Sequence, residues 1–194
     1  MFNSLEVSSK QAAVPGHLKS DVLRGMREAK LMLRQVFGTQ NVHTIGVSGT
    51  HESGIDYMLN AVLPSDKAVI FVNDPFSESN ALANCMHQKS DNIIIINTPH
   101  GKPITKGVVE SALATHQPKW TMMTYCEPSS DCINDVKGFS DACLKHDVMG
   151  LVDASSSLYV ADFSIDDYAG VVGWVSCPSL CSPLTYTPLS LTNK

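Results

Sequence analysis

Two rhythms of apolar residues alternate along this chain. Short runs dominated by apolar and β-branched residues, over 42–47, 68–72, 93–96, 120–125, 149–152 and 170–175, have the length of strands. Between them lie stretches with a helical period, over 21–37, 53–63, 77–89, 106–116 and 136–146. In the first helix Val22, Met26, Ala29, Leu33 and Val36 share one face, with Lys and Arg opposite, and Gly38 stops it. In the second, Ile55, Leu59 and Val62 line one side before Pro64-Ser65-Asp66 breaks the pattern.

Strands that read as continuous apolar runs, each followed by a helix, predict parallel strands covered on both faces. The expected fold class is therefore α/β, a three-layer sandwich with a mostly parallel sheet. Ligands of such sheets bind beyond the carboxyl ends of the strands. Residues 1–14 read as a flexible N-terminal arm, 15–175 as the folded domain, and 176–194 as an irregular tail. The tail reading rests on composition: 16 of its 19 residues are Ser, Pro, Leu, Thr or Cys, with three prolines and no period. A tail of this kind also arises where pyrimidine-rich non-coding sequence is translated.

Bulk properties narrow the function. At 194 residues, 43% hydrophobic and 17% charged, the chain has enough apolar matter for one real core. A net charge of −5 without a basic cluster argues against nucleic acid and anionic membranes as partners. No apolar run is long enough to span a bilayer. The N-terminus lacks a secretory pattern and the C-terminus is not a peroxisomal Ser-Lys-Leu address. Six cysteines at no metal-like spacing suit free thiols in a reducing compartment. The expected location is intracellular, in the cytoplasm, with peroxisome and mitochondrion left open.

Four segments at strand ends carry candidate chemistry. Ser48-Gly49-Thr50-His51 leaves a strand and opens a helix, which suits either a phosphate cradle or a plain helix cap. Phe76 follows the strand that ends at Val72, and serves either as a ring platform or as core. Glu127-Pro128-Ser129 follows the next motif-bearing strand, as a polar site or a Pro-Ser turn. Asp153 ends the 149–152 strand; a carboxylate there is costly unless paired, with an N-cap role as its alternative.

In order and spacing, Gly16-His17-Leu18, Thr44-Ile45-Gly46-Val47-Ser48-Gly49-Thr50, Leu151-Val152-Asp153-Ala154 and Ser155-Ser156-Ser157-Leu158 resemble the large domain of class V pyridoxal-phosphate-dependent aminotransferases, of the alanine–glyoxylate and serine–pyruvate type. The resemblance runs from about Pro15 to Val175, roughly the first half of a family member. It implies pyridoxal 5′-phosphate as cofactor, amino acids and keto acids as substrates, and a homodimer or a full-length aminotransferase as partner. It also implies roles: Ser48, Gly49 and Thr50 on the cofactor phosphate, Phe76 stacked on the ring, Ser129 supporting it, and Asp153 on the ring nitrogen. His17 matches a segment near the family's subunit interface.

The chain departs from that pattern in ways that bear on chemistry. Pro178 stands where the family places its Schiff-base lysine, and proline has no amine to form an imine. His51 stands where a second glycine is usual, and Glu52 puts a carboxylate beside the expected phosphate, where like charges repel. Asp74, Pro75 and Ser79 replace a glycine-flanked loop and its Arg, and Tyr159 replaces a glycine. The expectation is a chain impaired in transamination, with no catalytic residue assigned. Two origins stay open: a truncated form of a class V enzyme, or a pseudoenzyme that acts as a cofactor-binding or dimer-partner module. A gene relic without a role is a third.

Overall fold

Residues 20–60, 66–88, 92–158, 164–176 and 186–192 are described by a computed structural model of the chain. Its elements follow the expected alternation: α1 (Ser20–Phe37), β1 (His43–Ser48), α2 (His51–Asn60), β2 (Ala68–Val72), α3 (Pro75–Gln88), β3 (Ile93–Asn97), α4 (Lys106–His116), β4 (Trp120–Thr124), α5 (Val136–His146), β5 (Met149–Asp153), β6 (Val171–Val175) and β7 (Tyr186–Leu191). The strands form one sheet in the order β1-β7-β6-β5-β4-β2-β3. The pairs β2–β3, β2–β4, β4–β5 and β5–β6 are parallel, while β7 runs antiparallel to both β1 and β6. This is the expected mostly parallel α/β sandwich.

Over its central strands both faces of the sheet are buried, and the strand sequences show why. Along β2, Val69 and Phe71 point into one core with Phe37, Val109, Leu113, Met123, Phe139, Val152 and Trp174. Ala68, Ile70 and Val72 point into the other with Ile55, Met58, Leu59, Trp120, Leu151 and Leu189. Apolar residues at every position are what a strand covered on two sides needs. Helix ends follow local chemistry: Asp135 caps α5 by accepting from the Gly138 N–H at 2.8 Å. Gln117 and Asp147 close α4 and α5 in the left-handed region at φ 48° and 54°.

Two expectations need correction. The stretch 176–194 is not irregular throughout, because residues 186–191 form β7 inside the sheet. Its composition hid the strand: Thr187 and Ser190 are fully buried, yet their hydroxyls bond to neighbours, so no apolar pattern was required. Proline in an interior strand is rare because it lacks a ladder donor. Here Pro188 turns its carbonyl to the Ser176 N–H at 3.0 Å, so its missing N–H falls past Val175, where β6 ends.

The second correction concerns α1. Of the predicted face only Leu33 is buried; Met26 is 65% exposed, and Val22, Ala29 and Val36 are half-buried. The apolar face predicted for the whole helix meets the sheet only at its C-terminal end. Expectations for residues 1–14, His17, Tyr159 and Pro178 lie outside the described residues.

Candidate functional site

The carboxyl ends of β2, β4 and β5 converge, and each delivers a buried acid. Asp153 is the last residue of β5, in the middle of the sheet, and is 1% exposed. Its Oδ1 accepts from the Ser155 N–H at 3.0 Å and from the Ser155 hydroxyl, so the turn-capping alternative is half of its role. Its Oδ2 accepts from His51 Nε2 at 2.9 Å. His51 is itself 7% exposed.

That histidine is the residue the sequence flagged only as a departure. It is the first residue of α2, held there by the turn Ser48-Gly49-Thr50. Gly49 adopts φ +140°, and a Cβ there would lie 2.6 Å from the Ser53 Cβ, so glycine is required. The Thr187 hydroxyl of β7 braces the same turn, donating to the carbonyls of Gly49 and Thr50 at 3.2 and 2.8 Å. The His51 ring also stacks on Phe76, with centroids 6.2 Å apart and planes 18° from parallel, an offset stack. Phe76 sits in the first turn of α3.

The electrostatics follow from this packing. Burial opposes a charge on His51, but the hydrogen bond and attraction of Asp153, helped by Glu52, outweigh it and raise the imidazole above its ordinary value. Burial likewise works against the Asp153 carboxylate, and the bonds from His51 and Ser155 overcome it, so its pKa is lowered. The two form a charged pair. The Thr50 hydroxyl and the backbone N–H of Glu52 at the helix start hold the Glu52 carboxyl below its usual range. The cradle expected to take a phosphate thus holds a side-chain carboxylate.

The remaining candidates gather around a second acid. Asp74, after β2, is buried; its Oδ1 accepts from the Phe76 N–H at 2.9 Å and from the Ser129 hydroxyl. His100 Nε2 lies 3.5 Å from its Oδ2. Ser129 is therefore spent on Asp74, and no contact links it to His51. Asn73 and Asn134 lock the loop after β4 in place: Asn134 accepts from Asn73 at 2.9 Å and donates to the Thr124 carbonyl at 2.9 Å.

Glu127 is fully buried, and neither of its oxygens has a hydrogen-bond partner of good geometry. Burial pushes its pKa up to about 7; Ser77 and Asn134 pull the other way, and the charges of Asp74 and Asp153 add to the rise. The sequence places Glu127 in a candidate segment but gives the role there to Ser129, and it marks His51 only as a departure. The signal for His51 was its place right after a glycine turn at a helix start, one motif away from a buried acid.

A pyridine ring seated between Phe76 and Asp153 needs the space that the His51 ring fills. A separate void that touches Asp153, lined by Ile70, Ser77, Ala81, Met122 and Thr124 among others but not by His51 or Phe76, measures about 10 Å³, room for no more than a single water. The residues as arranged do not fit pyridoxal phosphate. Among the described residues Cys126, Cys132 and Cys143 are free thiols, and burial raises the pKa of each, away from a reactive thiolate. Among the described residues no cluster of His, Cys, Asp and Glu is arranged to hold a metal, and no helix is long and apolar enough to cross a membrane.

A mostly parallel sheet with its acids at the carboxyl ends of the strands defines the class. The fold is that of pyridoxal-phosphate aminotransferases, and the chain superposes on alanine–glyoxylate aminotransferase from Nostoc sp. with a TM-score of 0.83 and 28% identity, over 92% of this chain and 48% of that one. In sequence it is 25% identical over 179 residues to alanine–glyoxylate aminotransferase of Callithrix jacchus, covering 89% of this chain and 43% of the relative. It is 26% identical over 168 residues to (S)-ureidoglycine–glyoxylate transaminase of Bacillus subtilis, covering 83% and 40%. In sequence and fold together the chain resembles the class V aminotransferases of the alanine–glyoxylate type. It spans less than half the length of these relatives, and no protein-family model matches it.

Proposed function

We propose that this chain is a non-catalytic relative of the alanine–glyoxylate type of aminotransferase, with the site retained in outline and closed to its cofactor. The observation that carries this is the 2.9 Å bond from His51 to Asp153. The acid that would pair with a ring nitrogen already has an internal partner. Pro178, at the family's lysine position, supports the same conclusion, since an enzyme of this kind loses both its covalent anchor and its proton shuttle without that amine. In this reading Ser48, Gly49, Thr50, Phe76, Ser129 and Asp153 are the remnants of the cofactor site, within a large-domain unit over 15–175 to which β7 belongs.

The test is a transamination assay of the purified chain with alanine, glyoxylate and added pyridoxal phosphate. Turnover no greater than that of free pyridoxal phosphate is expected; clear turnover above it sinks the proposal.

The function that remains is that of a partner module. Met26 sits in water on the face of α1 that continues to buried Leu33, with Leu23 exposed beside it, and an apolar surface left open suits a second chain, either a copy of this one or a longer aminotransferase. Sedimentation velocity, alone and with a full-length relative, should show association; a monomer that ignores both removes this part.

A further inference from the structure

Three contacts define a slot rather than a chance histidine. The imidazole has a carboxylate at its Nε2, an aromatic face along its plane, and almost no contact with water. A planar nitrogen heterocycle bound as a ligand would be held by the same three features. We propose that His51 is a tethered internal ligand, so that the native chain excludes pyridoxal phosphate and its relatives, while the slot beneath is a binding site for small cationic nitrogen heterocycles once that side chain is gone.

The preference for cations follows from burial. Asp153 is 1% exposed and sits with Glu127 and Asp74 close enough to raise the Glu127 pKa. Removing the imidazolium leaves a buried carboxylate without its charged donor, which is far costlier than leaving an apolar hole. A neutral ring of the same shape refills the volume but not the bond. Glu52, whose carboxylate sits at the start of α2, works against any ligand that carries a phosphate. An external ring must also displace a tethered one, whose effective concentration is set by a single side chain.

The experiment is cavity rescue. Imidazole at pH about 6, where it carries its proton, should bind the His51→Gly chain, followed by calorimetry and by the rise in melting temperature. Affinity roughly 10- to 100-fold above that of the wild-type chain is expected, the worth of one charge-assisted hydrogen bond. His51→Gly/Asp153→Asn should lose that gain, and toluene should not replace imidazole. A folded His51→Gly chain that takes up no imidazole, or takes up toluene equally well, overturns the proposal.

Should the glycine variant fail to fold, the wild-type chain decides the matter. Pyridoxamine 5′-phosphate, which has no aldehyde to react with surface lysines, should leave the His51 imidazole resonances unmoved in an NMR titration. Saturable displacement of those resonances overturns the proposal. The outcome is separable from the proposed function: a chain that does not transaminate and whose glycine variant ignores imidazole keeps that function and loses this inference.

Discussion

His51, Asp153 and Glu127 make the stability of this chain depend on pH. The His51 pKa is raised in the fold, so its contribution is complete below its ordinary 6.5 and is lost as pH rises through the folded value. Asp153 is lowered, so its contribution is present above its ordinary 3.8 and is lost as pH falls through the folded value. The pair is worth most between those limits. Glu127 adds a slope of the same sign as His51: raised from 4.5 to about 7, it favours the fold below 4.5 and loses that through 7, an effect of about 3 kcal/mol. Denaturant unfolding from pH 5 to 8 should therefore show falling stability. In Glu127→Gln the fall should shrink by roughly 2–3 kcal/mol, and in Asp153→Asn the His51 part should be lost or reversed, because burial without the acid lowers the imidazole pKa. A flat wild-type profile would contradict the buried pair and the buried acid together.

At the level of elements, α2 and β7 fix each other. Gly54 on α2 faces β7 so closely that a Cβ would lie 2.2 Å from the Thr187 Cγ2 and 3.0 Å from the Val175 Cγ2. In a free helix, Gly→Ala gains about 1 kcal/mol. Here Gly54→Ala should cost about 2 kcal/mol through overpacking, read as a lower denaturant midpoint. A stabilised variant would mean that residues 186–191 do not lie where the sheet has them. The same contact explains what the sequence hid. The bounds of α4, α5 and β2 were legible because unbroken periods and clear breakers, such as Gln117-Pro118, mark them. β7 was not, because its polar residues are satisfied by partners far along the chain: Ser190 meets Thr44, and Thr187 meets Gly49 and Thr50. The acid at Asp153 could be read from its strand; its partnership with His51, 102 positions away, could not.

For the whole molecule, the sheet order makes one edge conditional. Among the described residues β1 joins the rest of the sheet only through β7, and α2, with His51, follows directly from β1. Local opening should therefore release 43–48 and 186–191 as one unit, before the central strands β4 and β5. Hydrogen exchange tests this: the amides of β1 and β7 should share one opening free energy, below that of 120–124 and 149–153. Protection of β1 equal to that of β5 would show the edge to be independent.

This arrangement also sets a timetable. Thr44 and its partner Ser190 are 146 positions apart, so at about 5–20 residues per second β1 waits roughly 7–30 s on the ribosome for the strand that seats it. Through that interval it is an unpaired sheet edge, open to wrong pairings. The hydroxyl of Thr187, which braces the turn ahead of His51, also arrives only then, so the histidine's seat is completed by one of the last segments to be made.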